Sequence, residues 1–255
     1  MRRFPKEFSD LLTPRGLRVL NGGVKDVCAL FSGTKNYFVT LKDVVDREKA
    51  AACAEILDRS LYGWLAQERR SIPPESITGM KKNYSETLSK TMRVKTAFFL
   101  RRSARSYQAA ERIGLLRMMR SASFTDFAEA VSGLRLDRDL NLQAICYGHG
   151  DYAGPHNDHH PELESLRDGF IDFHLMFTND AVAHHYLVYE NRGYLSRMVN
   201  LNVQSGVSIY KLPFWHYTTP LQGKPGRERE ARRWLLLGTF RIIGASGPAG
   251  RREET

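Results

Sequence analysis

The sequence predicts an α+β protein in which N-terminal helices brace a mainly β core. One observation is that helical periodicity is confined to the first half, where apolar residues recur every three or four positions in three segments. The other is that five strand-length segments, rich in β-branched and aromatic residues and separated by turn residues, follow Asp139. Helices followed by successive strands favour an antiparallel sandwich or barrel supported by helices.

The helical segments are marked by capping residues as well as by periodicity. A short apolar stretch at 38–41 leads into the first of them. The predicted helices are 47–68 after the N-cap Asp46, about 103–120, and about 124–132, opened by Ser123 or Thr125 and ended near Gly133. Residues 69–95 are rich in Ser, Pro, Lys and Thr, which indicates an irregular connection, a candidate loop over a site.

The strands fill the second half of the chain and define the expected organisation. They are predicted at 141–147, 170–177, 185–189, 207–211 and 234–243. We therefore expect an N-terminal extension (1–35), one domain (36–243) made of a helical support (36–138) and a β core (139–243), and a flexible tail (244–255).

Composition excludes several classes of protein and leaves the charge to be explained. Apolar residues make up 42% of the 255 residues, which excludes wholesale disorder. The net charge is +10, and 27 of the 38 basic residues are Arg, so nucleic acid, an acidic substrate or an Arg-rich surface are all open interpretations. Three cysteines without CxxC spacing and the absence of any apolar run of about 18 residues predict a cytoplasmic protein without a membrane segment.

Histidine clustering indicates a metal site. Five of the eight histidines fall within residues 149–174, and the sharpest element is His156-Asn157-Asp158. On a strand, residues i and i+2 point to the same face, so an imidazole and a carboxylate would converge there. His216, just past a predicted strand, is placed to supply a third ligand. Two His and one carboxylate suit non-haem Fe(II) and its use of O₂.

Other arrangements of these histidines are weaker. His149-Gly150-Asp151 has the same spacing, but flanking glycines indicate a turn rather than a rigid strand. A zinc or hydrolytic site that uses His159 and His160 is a further alternative. The remaining histidines are interpreted as satisfied strand or loop residues, namely His174, His184 and His185.

A candidate anion-binding residue begins the last predicted strand. Strand alternation places Arg233 on one face with Leu235, Leu237 and Thr239. A guanidinium there can hold a carboxylate through two parallel hydrogen bonds. The alternative is that Arg232 and Arg233 are a solvated basic pair beside an apolar strand.

These residues, in this order, resemble the Fe(II)- and 2-oxoglutarate-dependent oxygenases, specifically the prolyl 4-hydroxylase-like branch. The similarity covers residues 36–243 and rests on the order of several short motifs. They are Phe38–Asp46 before a helix, Phe124–Gly133, Ala144–Tyr147 followed by Gly150-Asp151-Tyr152 and His156-Asn157-Asp158, Gly206–Tyr210 before His216, and Arg233–Phe240.

The resemblance implies a double-stranded β-helix, a jelly-roll with the site between its two sheets. It further implies that His156, Asp158 and His216 bind Fe(II), that Arg233 binds the distal carboxylate of 2-oxoglutarate, and that Tyr147 hydrogen-bonds the cosubstrate. The implied activity is hydroxylation of an unactivated C–H bond in a small molecule, amino acid or peptide, consuming O₂ and yielding succinate and CO₂. Ascorbate is a candidate reductant, and a monomer or homodimer is expected.

Two departures from the family pattern keep alternatives open. Residues 222–230 look like an inserted hairpin loop, which leaves Arg232, Arg227 or Lys224 as other carboxylate partners, and this loop and 69–95 are candidate lids. The usual Gly-Gly-x-Leu pair is missing, because residues 181–196 contain only Gly193. An AlkB-like nucleic-acid demethylase, prompted by the charge, and a non-catalytic basic module on a jelly-roll scaffold are the alternative functions.

Overall fold

The computed structural model describes residues 3–33, 38–70, 91–156, 158, 169–191, 194–201 and 205–244, and shows two facing antiparallel sheets, a separate pair of short strands, and helices packed on one of the two sheets. The strands are β1 Phe38–Lys42, β2 Ala66–Arg70, β3 Met92–Phe98, β4 Asn141–Tyr147, β5 Tyr152–Ala153, β6 Phe170–Thr178, β7 Val182–His184, β8 Tyr186–Asn191, β9 Tyr194–Asn200, β10 Ser205–Lys211, β11 His216–Thr218, β12 Gln222–Gly223 and β13 Arg233–Arg241.

The sheet topology is that of a double-stranded β-helix. The larger sheet has the order β1-β10-β6-β13-β4-β3-β2, with β5 paired to β3, and the smaller sheet has the order β11-β8-β9. An isolated bridge between His156 and His216 extends the smaller sheet by one more chain segment. Side chains of β6, β10 and β13 pack with those of β8 in one apolar cluster, so the two sheets face each other as in a jelly-roll. This confirms the predicted fold class.

The helices pack on the outer face of the larger sheet. They are α1 Pro14–Leu20, α2 Lys25–Gly33, α3 Arg47–Ser60, α4 Arg105–Arg112, α5 Leu115–Met119 and α6 Ala122–Ser132, with short 3₁₀ helices at Phe8–Leu11 and Tyr62–Trp64. Asp46 caps α3 as predicted, since its carboxylate accepts from the backbone N–H groups of Glu48 and Lys49 at 3.0 Å. Among the described residues, no helix has the length and apolar character to cross a membrane.

An aromatic cluster joins the N-terminal segment, α6 and the larger sheet. Phe173 of β6 is fully buried, and its ring lies 4.5 Å from Phe124, 5.8 Å from Phe8 and 5.9 Å from Phe127 between centroids. Such aromatic contacts stabilise the packing beyond their buried area. The N-terminal segment that contains Phe8 is therefore part of the same hydrophobic core as α6 and the larger sheet. The predicted domain boundaries stay predictions.

Replacement of Phe173 by alanine is expected to destabilise this packing strongly. Because the ring is enclosed by three others, its removal leaves a cavity and should lower the free energy of unfolding by about 3–5 kcal/mol. Phe98, which is 53% exposed, offers a matched control whose truncation should change it by less than about 1 kcal/mol. Urea unfolding measures both, and equal losses would contradict this packing.

Two predicted helices are shorter than the periodicity indicates. The helix expected over 47–68 ends at Ser60, because residues 66–70 pair with β3 as a strand. The helix expected over 103–120 is divided at Gly114, whose φ of +80° is left-handed and separates α4 from α5. The helix expected over 124–132 begins at Ala122 after Ser121, rather than at Ser123 or Thr125.

Several strands escaped prediction because they are short or largely polar. Within 69–95, which was predicted as irregular, residues up to 70 and from 92 belong to β2 and β3, and 71–90 lie outside the described residues. The 222–230 segment is not a hairpin of its own, since β12 pairs with β7 and is followed by two turns. In the predicted tail, residues 245–255 also lie outside the described part.

Candidate metal centre

Three predicted ligands converge between the two sheets. The ligand atoms of His156, Asp158 and His216 all lie within 4.8 Å of one another. The Nε2 atom of His156 is 3.1 Å from Oδ1 of Asp158, and Nε2 of His216 is 3.7 Å from Oδ2. Both imidazoles are buried, whereas the Asp158 side chain is 25% exposed, so the group opens towards solvent on the carboxylate side.

Hydrogen bonds behind the imidazoles fix which nitrogen faces the centre. Nδ1 of His156 lies 2.6 Å from the carbonyl oxygen of Gly154, and Nδ1 of His216 lies 2.7 Å from that of Phe214. A carbonyl only accepts, so each Nδ1 donates and, in the neutral ring, each Nε2 presents a lone pair. Two such lone pairs facing a carboxylate repel one another unless a cation lies between them. The donor set therefore fits a divalent metal ion.

The backbone holds the two imidazoles side by side. The amide N–H of each histidine donates to the carbonyl of the other, at 3.0 and 2.9 Å. This reciprocal pair joins the segment after β5 to the first residue of β11. The ligands therefore come from two elements whose separation is fixed by main-chain bonds rather than by side-chain packing.

Asp158 reaches the centre by a turn, which corrects the strand argument from the sequence. His156 forms only a single bridge, and Asp158 lies in a bend with φ of +54°. Side-chain alternation along a strand therefore does not explain the convergence. A left-handed backbone is unusual for a residue with a side chain, but Asp tolerates it better than most.

Tyr210 and His174 support the carboxylate from the larger sheet. The Tyr210 hydroxyl donates to Oδ2 of Asp158 at 3.4 Å and lies 3.1 Å from Nε2 of His174. Burial, with the Asp158 charge next, raises the pKa of Tyr210 well above 10, so the phenol stays protonated. Sequence reasoning missed this role for both residues, because it depends on β6 and β10 being neighbours in the sheet.

Arg233 occupies a buried position at the start of β13. It is 2% exposed, and strand register places it opposite Tyr147 on β4 and Thr178 on β6. Its Nη2 contacts the sulfur of Met176 at 3.1 Å, while Nε and Nη1 have no hydrogen-bond partner. Burial lowers its pKa to about 10, so the guanidinium is still charged at neutral pH. A buried cation with unpartnered N–H groups fits an anion.

The other candidate cations are engaged elsewhere or exposed. Arg227 forms a bidentate pair with Asp180 at 3.0 and 3.1 Å. Arg232 donates to backbone carbonyls, and its guanidinium lies 4.7 Å from the Tyr62 ring centre. Lys224 is exposed. Arg233 is therefore the best placed of the four.

The alternative pair, His149 and Asp151, has hydrogen-bond partners of its own. The Asp151 carboxylate binds Arg93 at 2.8 Å and the Gly148 amide at 2.8 Å, and His149 accepts from Gly223. No second group of three metal-binding side chains occurs in the described ranges. His159 and His160, the zinc alternative, lie outside them.

The adjacent residues His184 and His185, both interpreted from the sequence as hydrogen-bonded strand or loop histidines, differ in burial. His184 is exposed on β7 and stacks near Tyr186. His185 is fully buried, and neither ring nitrogen has a hydrogen-bond partner. Hydrogen bonds therefore do not support the interpretation of His185 as a satisfied histidine, although the Thr219 backbone lies near enough to the ring to raise its pKa.

Comparison with known proteins agrees with this geometry at the level of fold. No family model matches the sequence, and no curated protein is significantly similar to it. Among solved structures, an oxidoreductase of the 2OG-Fe(II) oxygenase family from Burkholderia pseudomallei matches with a TM-score of 0.51 and 13% identity over 85% of this chain and 89% of that one.

Two further structures have similar scores. The non-heme alpha ketoglutarate dependent epimerase of nogalamycin biosynthesis gives a TM-score of 0.53 with 12% identity, over 87% of this chain and 81% of its own. A prolyl 4-hydroxylase from Phytophthora capsici gives 0.51 with 15% identity, over 96% and 72%. At such identities these matches establish the fold.

Proposed function

We propose that this chain, which has the fold of the 2-oxoglutarate- and Fe(II)-dependent oxygenases, is itself an enzyme of that class. One observation carries the proposal: two imidazoles and a carboxylate converge, and the buried Arg233 guanidinium with unpartnered N–H groups contacts Met176, which packs in one apolar cluster with Tyr210 beside Asp158. The first suits Fe(II), and the second suits the distal carboxylate of a dicarboxylic cosubstrate.

In this proposal His156, Asp158 and His216 hold Fe(II), and Arg233 with Tyr147 holds 2-oxoglutarate. When bound, the metal and the oxo acid supply O₂ activation coupled to oxidative decarboxylation, with succinate and CO₂ as co-products. Residues 36–243 are the oxygenase domain, with 1–35 and 244–255 as extension and tail.

The chain's own residues position the reactants and exclude water. The carbonyls of Gly154 and Phe214 keep both imidazoles in the ligating tautomer. Tyr210 donates to Oδ2 of Asp158, which would help to keep the carboxylate beside the two imidazoles that hold the metal with it. The Phe214 ring, 4.5 Å from Tyr210 between centroids, shields this side of the centre from solvent.

We further propose that the substrate is a small molecule, amino acid or peptide side chain, hydroxylated at an unactivated C–H bond. An Asp at position 158 completes a three-residue ligand set, which favours hydroxylation over halide transfer. One structural neighbour is an epimerase, so the fold alone does not determine the product.

The excess of arginine is accounted for in part by a surface away from the centre. Six arginines on or beside α4 and α5 are exposed, and these helices pack on the outer face of the larger sheet; they are Arg101, Arg102, Arg105, Arg112, Arg117 and Arg120. This arrangement supports a solvated surface. An AlkB-like demethylase is the alternative, for which binding to single-stranded nucleic acid would weaken steeply with salt.

The direct test is turnover with Fe(II), 2-oxoglutarate and O₂ across a panel of amino acids, proline-containing peptides and small metabolites. We expect one class to raise succinate formation above the uncoupled background and to gain one oxygen atom by mass spectrometry. Methylated single-stranded oligonucleotides form a separate arm. Turnover with that arm alone would favour the demethylase, and no 2-oxoglutarate consumption with or without substrate would contradict the proposal.

A further inference from the structure

His185 has a buried environment that its sequence neighbour lacks. The side chain is fully buried just before β8, and both ring nitrogens are without a hydrogen-bond partner. His184, one residue earlier, is exposed. Buried polar groups in folded proteins almost always have partners, so two unpartnered nitrogens on one ring point to a ligand.

His185 and Arg233, each with unpartnered nitrogen atoms, both lie close to the ring of Tyr147. The imidazole of His185 lies 4.9 Å from the Tyr147 ring between centroids, and the Arg233 guanidinium carbon lies 5.4 Å from the same ring centre. Four buried nitrogen atoms from these two residues therefore lack partners in one small region: Nδ1 and Nε2 of His185, and Nε and Nη1 of Arg233.

Electrostatics in this region fit an anion of a single charge. Burial and then the neighbouring Arg233 charge lower the pKa of His185 well below 6.5, against a smaller opposite effect of the Thr219 backbone, so its ring is neutral at physiological pH. A neutral imidazole donates one N–H bond without adding a second positive charge. One guanidinium charge with an extra neutral donor matches a carboxylate better than a dianionic phosphate.

We propose that a ring N–H of His185 donates to the distal carboxylate of the cosubstrate, next to Arg233, and thereby selects an oxo acid with a second carboxylate. This inference rests on the proposed function, since it names a residue of the same cosubstrate site. His185 acts here as a binding and specificity residue.

The test measures binding rather than turnover. Mn(II) replaces Fe(II), and calorimetry gives the affinities for 2-oxoglutarate and for 2-oxopentanoate, which has the same chain length but no distal carboxylate. The variants are His185→Phe, which keeps a ring but removes both nitrogens, His185→Gln, which keeps a donor, and the matched control His184→Phe. Should His185→Phe fail to fold, His185→Leu takes its place.

We expect His185→Phe to weaken 2-oxoglutarate binding by about 10- to 100-fold, the loss of one hydrogen bond to a charged group. It should leave 2-oxopentanoate and Mn(II) binding within about threefold of wild type, because neither uses the distal contact. His185→Gln should recover most of the 2-oxoglutarate affinity, and His184→Phe should match wild type.

Equal weakening of both oxo acids by His185→Phe would overturn the inference, because it would show a role in pocket shape alone. Unchanged 2-oxoglutarate affinity would overturn it as well. A wild-type protein that binds Mn(II) but not 2-oxoglutarate would instead overturn the proposed function itself, so the two failures are distinguishable.

Discussion

Replacement of Arg233 by methionine is expected to weaken 2-oxoglutarate binding by about 100- to 1,000-fold. The guanidinium is buried with two unpartnered nitrogens, so a bound carboxylate would form its hydrogen bonds with almost no competition from water. Removing one partner of a buried charged pair typically costs about 2–5 kcal/mol. Anaerobic titration of the Fe(II) protein with 2-oxoglutarate measures this loss.

Stability should change in the opposite sense. In the free protein the Arg233 charge is buried without a carboxylate, so methionine, of similar length and apolar, should leave the free energy of unfolding unchanged or raise it. Lost binding with retained stability would identify a binding residue. Lost stability would instead indicate that Arg233 is a structural residue.

Arg232→Met provides the matched control for this variant. The two arginines are adjacent, but Arg232 lies over Tyr62 and donates to backbone carbonyls, whereas Arg233 lies against Tyr147. We expect Arg232→Met to bind 2-oxoglutarate within about threefold of wild type. A larger loss from Arg232 than from Arg233 would transfer the carboxylate contact to the neighbour and contradict this assignment.

Replacement of His156 by alanine is expected to abolish Fe(II)-dependent consumption of 2-oxoglutarate, a fall of more than about 100-fold. Even residues that only orient metal ligands change affinity or activity by about 10- to 100-fold, so loss of a ligand should exceed that. The reason in this chain is that His156 supplies one of three converging donors and its backbone pairs with His216. Metal content after dialysis and succinate formation measure the two effects.

The alternative pair, His149 and Asp151, supplies the control for the His156 prediction. His149→Ala removes a histidine with the same spacing to an aspartate, but its ring accepts from the Gly223 amide and Asp151 pairs with Arg93. We expect His149→Ala to keep the metal and most of the activity. If His149→Ala lost the metal and His156→Ala kept it, the assignment of the centre would be wrong.

The sequence predicted the fold, and the three residues that it proposes as metal ligands converge, because both depend on order along the chain. Apolar strand segments after Asp139 and the His-x-Asp spacing can be recognised without tertiary information. Arg233 could be separated from Arg232 only in part, since strand alternation puts them on opposite faces but does not say which face is covered.

What the sequence missed depends on packing or on single backbone conformations. Strand alternation predicted that His156 and Asp158 share one face of a strand, whereas the left-handed backbone of Asp158 places its side chain there through a turn. Gly114 divides a helix whose apolar pattern runs on without interruption. The segment 181–196 lacks a glycine pair, which the sequence shows, but the burial of His185 beside the Tyr147 ring depends on tertiary packing.

In the proposed enzyme the donor set and Arg233 form one Fe(II) and 2-oxoglutarate site. Its most direct test is the visible spectrum of the anaerobic Fe(II) protein during addition of 2-oxoglutarate. We predict a weak charge-transfer band of the metal chelate that saturates with cosubstrate, is absent in His156→Ala, and needs far more cosubstrate in Arg233→Met. No band in the wild-type protein, or an unchanged band after His156→Ala, would contradict this site.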